Sequence, residues 1–265
     1  MKTFFKFGLL LSLFSILSCS TANEPVDPAL LGQANLPGTN PGTGGTTNPT
    51  NPTAPTNLDY WPAALNNQWI YNRDGVSQGP TKVISINQIN GQTYSTFNTQ
   101  PGTSTTAASG PITVTGISRL RKNAGDYFLR YDSQTFTTTG ISGTQSDFEF
   151  IILKDYLAVG QTWTNSYVQT TTYNSSVIPP VVANFTVVGT IIDKDVPFTV
   201  NGVPFTNVIK VKIEQTAVFT GIPTATTVNF YWFAKNIGLI KADNIITTTG
   251  TPVVTSTEVV SYIIN

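Results

Sequence analysis

Residues 207–219 read Asn207-Val208-Ile209-Lys210-Val211-Lys212-Ile213-Glu214-Gln215-Thr216-Ala217-Val218-Phe219, and their two-residue period decides the fold class. Ile209, Val211, Ile213, Ala217 and Phe219 fall on one side of an extended chain, while Lys210, Lys212, Glu214 and Thr216 fall on the other. Successive side chains of a strand point to opposite faces, so this stretch is a strand with one face in a core and one in water. The same alternation recurs in Phe185, Val187, Gly189 and Ile191, and in Val254, Ser256, Glu258, Val260 and Tyr262.

Turn signals punctuate these runs. Asn90-Gly91 and Asn201-Gly202 are the dipeptides that a two-residue hairpin turn with two positive φ angles prefers, and each sits between plausible strands. A further turn over residues 123–126 joins two strand-like runs. No ten-residue window keeps a helical period, so helix is expected to be minor. The reading is an all-β fold: a single, largely antiparallel domain, built as an open barrel or as a β-sandwich.

That texture starts only after Leu58. From Ser20 to Leu58 the chain has no Lys, Arg or aromatic residue, two acids (Glu24 and Asp27), and a run of Pro, Gly, Thr and Asn. It cannot bury enough apolar surface to offset chain entropy. As a flexible coil such a leash spans roughly 35 Å, and in polyproline-like form roughly 120 Å.

Before it, Lys2 and Lys6 precede an apolar run from Phe7 to Leu17, then Ser18 and Cys19, the sole cysteine of the 265-residue chain. A basic start, a short apolar stretch and small residues make a signal peptide, and the run is too short to span a bilayer. The expected organisation is a signal peptide over residues 1–18, a lipidated N-terminus and tether over 19–58, and an all-β domain over 59–265.

Composition removes several functions. Charged residues are 11% of the chain, 14 basic against 14 acidic, which favours neither nucleic acid nor an acidic substrate. Histidine is absent, so a Ser-His-Asp or Cys-His arrangement cannot be built, and zinc loses its commonest ligands. With one cysteine no disulfide forms within the chain.

Two segments echo each other. Ala64-Leu65-Asn66-Asn67-Gln68-Trp69 aligns with Ala158-Val159-Gly160-Gln161-Thr162-Trp163, each a turn followed by a strand opening on tryptophan. The match hints at two similar halves of the sheet.

Resemblances enter on these residues. Ile16-Leu17-Ser18-Cys19 resembles the lipobox of bacterial lipoproteins, which implies cleavage after Ser18 and lipid on Cys19. The alternative is an ordinary secretory signal with an incidental cysteine. Ser20 stands where many inner-membrane lipoproteins carry aspartate, so the resemblance implies the outer membrane and leaves the leaflet open. Tyr60-Trp61-Pro62 with Asn66-Asn67-Gln68-Trp69-Ile70-Tyr71 is similar to the Y-x-P-L-x-x-G-N-x-W-x-Y opening of a group of bacterial lipoproteins without an assigned activity. The blocks Leu157-Ala158-Val159-Gly160-Gln161-Thr162-Trp163 and Tyr231-Trp232-Phe233-Ala234-Lys235-Asn236-Ile237-Gly238-Leu239-Ile240-Lys241 fit the same group. Asn66 and Asn236 replace its usual glycines, and asparagine tolerates left-handed φ. The resemblance implies an antiparallel β domain, an open barrel like those of periplasmic lipoprotein carriers, and transfers no functional residue.

Three candidate sites follow. Phe230-Tyr231-Trp232-Phe233 is apolar on both faces of a strand, so Tyr231, Trp232 and Phe233 could line a groove for an apolar ligand; burial of a central strand on both sides explains the pattern equally. Asp193 with Asp195, and Asp147 with Glu149, are carboxylate pairs that could bind calcium or act as acid and base, or could simply be solvated. Arg119, Arg121, Lys122 and Arg130 gather on one hairpin and could meet lipid headgroups, or guard a sheet edge. The expected function is a non-enzymatic, lipid-anchored envelope protein that binds or carries an apolar ligand or docks on an envelope partner, without cofactor, metal or nucleic acid. The alternative is a surface protein for adhesion or glycan binding.

Overall fold

The computed structural model describes residues 59–99, 101, 113–138, 140–219, 222–246 and 253–265. Ser18, Cys19 and the tether lie outside the described residues. Within them the alternating sequence forms sixteen strands and no helix.

In chain order these are β1 (Gln68–Arg73), β2 (Val76–Ser77), β3 (Thr81–Ile89), β4 (Gln92–Phe97), β5 (Thr113–Thr115), β6 (Ser118–Asn123), β7 (Asp126–Tyr131) and β8 (Gln134–Thr138). There follow β9 (Ile141–Gln145), β10 (Phe148–Lys154), β11 (Thr162–Tyr173), β12 (Val181–Val200), β13 (Val203–Phe219), β14 (Ile222–Ala234), β15 (Gly238–Ile246) and β16 (Val253–Ile263). They form one antiparallel sheet in the order β10-β7-β6-β4-β3-β1-β16-β15-β14-β13-β12-β11-β9-β8-β5, with β2 beside β1.

The sheet curls until β10 meets β11, but it is not closed by a backbone ladder. Instead the Trp163 indole N–H donates to the Ile151 carbonyl at 3.0 Å, and the Ile151 N–H to Asn165 Oδ1 at 3.4 Å. A ladder of rings crosses the same seam, with centroids 4.9 Å apart for Tyr131 and Phe148, and 4.6 Å for both Phe148–Tyr167 and Tyr167–Phe185. Of the two architectures the alternation allows, this is the open barrel and not the sandwich.

Why these residues form these strands is visible in β13. Val208, Ile209, Val211 and Ile213 are completely buried. At roughly 1.5–3 kcal/mol for each aliphatic side chain removed from water, this strand alone anchors much of the sheet. Asn90-Gly91 and Asn201-Gly202 have positive φ at both positions, 50° and 74°, then 49° and 78°, as the hairpin turns require. Asn66 and Asn236 also take positive φ, 71° and 61°.

One strand has the opposite phase to the sequence reading. In β16 the residues facing the core are Thr255, Thr257, Val259 and Ser261, while Val254 is 55% exposed and Ser256, Glu258 and Val260 lie on the outer face. A bulge at Val260, which lies between the partners of Ile70 (Ser261) and Tyr71 (Val259), slips the register of β16 against β1, and Tyr262 beyond it is buried as well. Valine and threonine occupy both faces here, so alternation could not fix the phase.

The chain enters at one end, the near end. Asp59 accepts the Lys122 ammonium at 2.7 Å through its carboxylate and the Asn236 N–H at 2.6 Å through its carbonyl. Tyr60 and Trp61 then plug that end, and Trp61 packs on Phe97 and Phe233 with ring centroids 5.9 and 5.4 Å away. The turn of β6–β7, the β10–β11 loop and the β14–β15 turn share the near end; the β11–β12 connection and the strand ends Phe219, Ile246 and Val253 lie at the far end. Beyond the main core, Ala183, Phe185, Ala217 and Phe219 form a second small cluster toward the far end.

Candidate functional site

The aromatic run of β14 is packed on both faces. Tyr231 pairs with Val211 and Ala242, and Phe233 with Ile209 and Leu239, so both point into the core. Trp232 pairs with Lys210 and Lys241 and therefore points outward, yet it is only 6% exposed. The cause is the tip of the β12–β13 hairpin, which turns back across the outer face. Asp195 and Asn207, on facing strands, take positive φ of 56° and 53°, and three register breaks between Ile191 and Phe198 let the ribbon bend.

Phe198 then stacks on Trp232 with centroids 5.4 Å apart, and the Asn201 amide donates to the Val259 carbonyl at 3.0 Å. The Lys210 and Lys241 ammonium groups sit 5.0 and 5.6 Å from the indole. Tyr231, Trp232 and Phe233 are thus brought together as packing, with protein on each side.

The charged candidates are engaged with one another. Arg119 pairs with Asp132 at 2.7 Å, Arg130 with Asp132 at 3.1 Å and Asp147 at 2.6 Å, and Arg121 with Glu149 at 2.5 Å. Burial alone would raise the Asp132 carboxyl, but hydrogen bonds from Arg119 and Arg130 outweigh it and hold the group below its ordinary value. The basic hairpin guards no edge: β6 lies between β4 and β7, and β7 between β6 and β10. Sequence shows a hairpin's charge but not which strands flank it. Asp195 accepts the Tyr60 hydroxyl at 2.8 Å, and the Lys194 ammonium donates to the carbonyls of Asp155 and Leu157. Among the described residues no three acidic, histidine or cysteine side chains gather as a metal site.

Two further regions were not singled out by the sequence. The first is the inner face of the β9–β11 limb, where Gln145, Gln169, Thr171 and Tyr173 are buried and the ring of Tyr167 stacks between Phe148 and Phe185. Gln145 Oε1, Gln169 Nε2 and the hydroxyls of Tyr167 and Tyr173 find no hydrogen-bond partner there. Each such atom costs about 1–3 kcal/mol. Burial pushes the Tyr173 hydroxyl up to about 12 and that of Tyr167 well above the ordinary phenol value.

The second is the outer face of β11–β14. Register aligns Ser166 with Thr186, Thr186 with Thr216 and Thr216 with Thr226, a row of hydroxyls across four neighbouring strands. The Thr216 and Thr226 oxygens are 3.2 Å apart. A sequence signal for this face exists: no charged residue occurs in residues 156–192 or 215–234.

No protein-family model and no curated protein matches the sequence. Two solved structures are similar in shape. A “putative lipoprotein” of Parabacteroides distasonis superposes with a TM-score of 0.49 at 12% identity, covering 78% of this chain and 99% of that one. A “putative exported protein with YmcC-like fold” of Bacteroides fragilis gives 0.43 at 13% identity, covering 77% and 98%.

Proposed function

We propose that this chain is a lipid-anchored, non-catalytic binding protein of the bacterial cell envelope, exported by residues 1–18, cut after Ser18 and held at the outer membrane by lipid on Cys19. The observation that carries the reading is the fixing of Asp59 by Lys122 and Asn236. A tether running from Cys19 joins the barrel at its plugged near end, which leaves the far end of the β11–β14 strands turned away from the anchor. Several acyl chains on one cysteine hold a protein firmly, where a single chain binds only marginally. With no histidine in the chain and Asp147, Glu149 and Asp195 tied to Arg130, Arg121 and Tyr60, binding is a better-supported role than catalysis.

Cys19→Ala tests the anchor. The variant is expected in the soluble fraction of lysed cells and the wild type in outer-membrane vesicles. A variant that stays in the membrane overturns the reading.

The carrier version needs an apolar lining, and the rings of Tyr231, Trp232 and Phe233 are already covered by protein. A surface protein that captures glycans is favoured by the row of hydroxyls on the outer face of β11–β14. Protease treatment of intact cells separates the two, because a chain cleaved only after the outer membrane is opened cannot act at the cell surface.

A further inference from the structure

The β12–β13 ribbon that folds back over Trp232 carries its bend in two insertions that cancel. Asp193 pairs with Lys210, Val196 with Val208 and Phe198 with Phe205. Between the first two pairs β12 has two residues, 194 and 195, against Ile209 alone; between the last two β13 has two, 206 and 207, against Pro197 alone. Each is a β-bulge, and a bulge bends its strand. Asp195 and Asn207, one in each bulge, hold left-handed φ, a conformation that costs residues with a Cβ. Yet Asp193 to Phe198 and Lys210 back to Phe205 are stretches of equal length, so a ribbon without either bulge keeps the same pairing on both sides of the hinge. One register serves a bent form and a straight one.

Beyond the hinge, Phe198 faces Phe205 and Val200 faces Val203, so these four side chains share one face of the tip, while Thr199 and Thr206 on the other are exposed. Val200 and Phe205 are buried, and Phe198 stacks on Trp232, because the bend lays that face on the barrel. A straight tip would stand roughly 17 Å beyond the hinge, at about 3.3 Å per residue, with its apolar face and Trp232 both bare. A contiguous apolar face of this kind marks a contact site. The structure already shows what fits it: the surface around Trp232, where the Asn201 amide also finds the Val259 carbonyl. Those contacts can be made just as well by the tip of another copy.

We propose that two copies of this chain form a reciprocal dimer, in which each β12–β13 ribbon straightens at Asp195 and Asn207 and lays its tip over Trp232 of the other copy. The covering contacts are the same in both forms, so the hinge and the cost of bringing two chains together set the balance. Straightening frees two residues from left-handed φ and closes two of the three register breaks. Against it, the bent form has the Tyr60 hydroxyl on Asp195 at 2.8 Å.

The test is native mass spectrometry of the full mature protein, lipid included, released from detergent over a dilution series. The wild type is expected as monomer and dimer, and the hinge should move their balance in both directions. Asn207→Gly removes the φ penalty of the bent form and should weaken the dimer about tenfold; Asn207→Val, β-branched and averse to positive φ, should strengthen it about tenfold. Asn207 is exposed, so neither change disturbs the core. Asn201→Asp keeps a residue that tolerates its turn but loses the donor to Val259 in both forms alike. It should lower the thermal midpoint and leave the dimer dissociation constant unchanged. No dimer from the wild type, a dimer indifferent to both Asn207 substitutions, or a dimer weakened by Asn201→Asp as an ordinary surface contact would be, overturns the proposal. The prediction does not rest on the anchor or on any ligand, so it fails or stands apart from them.

Discussion

The two tryptophan corners have the same backbone and different surroundings. At the first, the Asn67 N–H donates to the Ala64 carbonyl at 3.1 Å, Asn66 has positive φ, and Asn66 and Asn67 bracket Val83 with bonds of 2.9 Å each. At the second, the Gln161 N–H donates to the Ala158 carbonyl at 3.1 Å, Gly160 has positive φ, and Gly160 and Gln161 bracket Ile191 at 2.8 and 3.1 Å. Each indole then donates to a distant carbonyl, Trp69 to Ile237 at 2.7 Å and Trp163 to Ile151 at 3.0 Å. Yet the strand after the first corner has ladders to β16 and β3 on its two sides, while the strand after the second starts on the seam, with β12 on one side and only side-chain bonds to β10 on the other. Local sequence sets the corner; the strands brought in from elsewhere decide whether it lies inside a sheet or on its open join.

The largest effect should come from breaking the symmetry at the enclosed corner. Trp69→Ala is expected to cost about 3–5 kcal/mol in denaturant unfolding, and Trp163→Ala at least ~1 kcal/mol less, because the seam can relax. Equal losses would show that the seam is as rigid as the ladders. Next, Gly189→Ala drives a Cβ into the Trp163 ring and should cost about 1–3 kcal/mol by overpacking. A neutral outcome would mean the indole is free to move.

Beyond the second corner, Gln169→Leu removes an unmet amide and should raise stability by ~1 kcal/mol, read as a higher Tm. Asn165→Ala should cost about 0.5–1 kcal/mol and speed hydrogen exchange at the Ile151 amide, with Leu129 and other ladder amides unaffected.

The smallest effect is in acid. Asp132 is held below an ordinary aspartate value of 3.8, so its contribution is present above that pH and is lost as the pH falls toward the folded value. For this partly exposed pair the loss is at most ~1 kcal/mol, and Asp132→Asn should flatten that part of the pH–stability curve.

Much of the fold was legible. Strand content followed from alternation in residues 207–219, and the turns from Asn-Gly pairs and from asparagines at positions that demand positive φ. The echo of the two corners was visible as six residues. What sequence could not supply was whatever depends on residues far apart. The phase of β16 needed its pairing with β1 and β15, and the covering of Trp232 needed bends at Asp195 and Asn207 together. The interior placement of β6 and β7 needed the order of the whole sheet. The hydroxyl row is an intermediate case, because the charge-free stretches were in view but the register that aligns Ser166 with Thr226 spans sixty residues.

The entry segment has a mechanical consequence. Tension arriving through the residues before Asp59 meets Lys122 on β6, the Asn236 turn, the Tyr127 hydroxyl that accepts the Tyr60 N–H at 2.9 Å, and the Ser95 hydroxyl that donates to the Ala63 carbonyl at 2.7 Å. The load is divided among four places on the barrel before it reaches β1, so no single strand is peeled from its neighbour. It works as the moulded collar does where a cable enters a plug: a strain relief that would keep a pull on the chain before Asp59 from fraying the domain from its first strand.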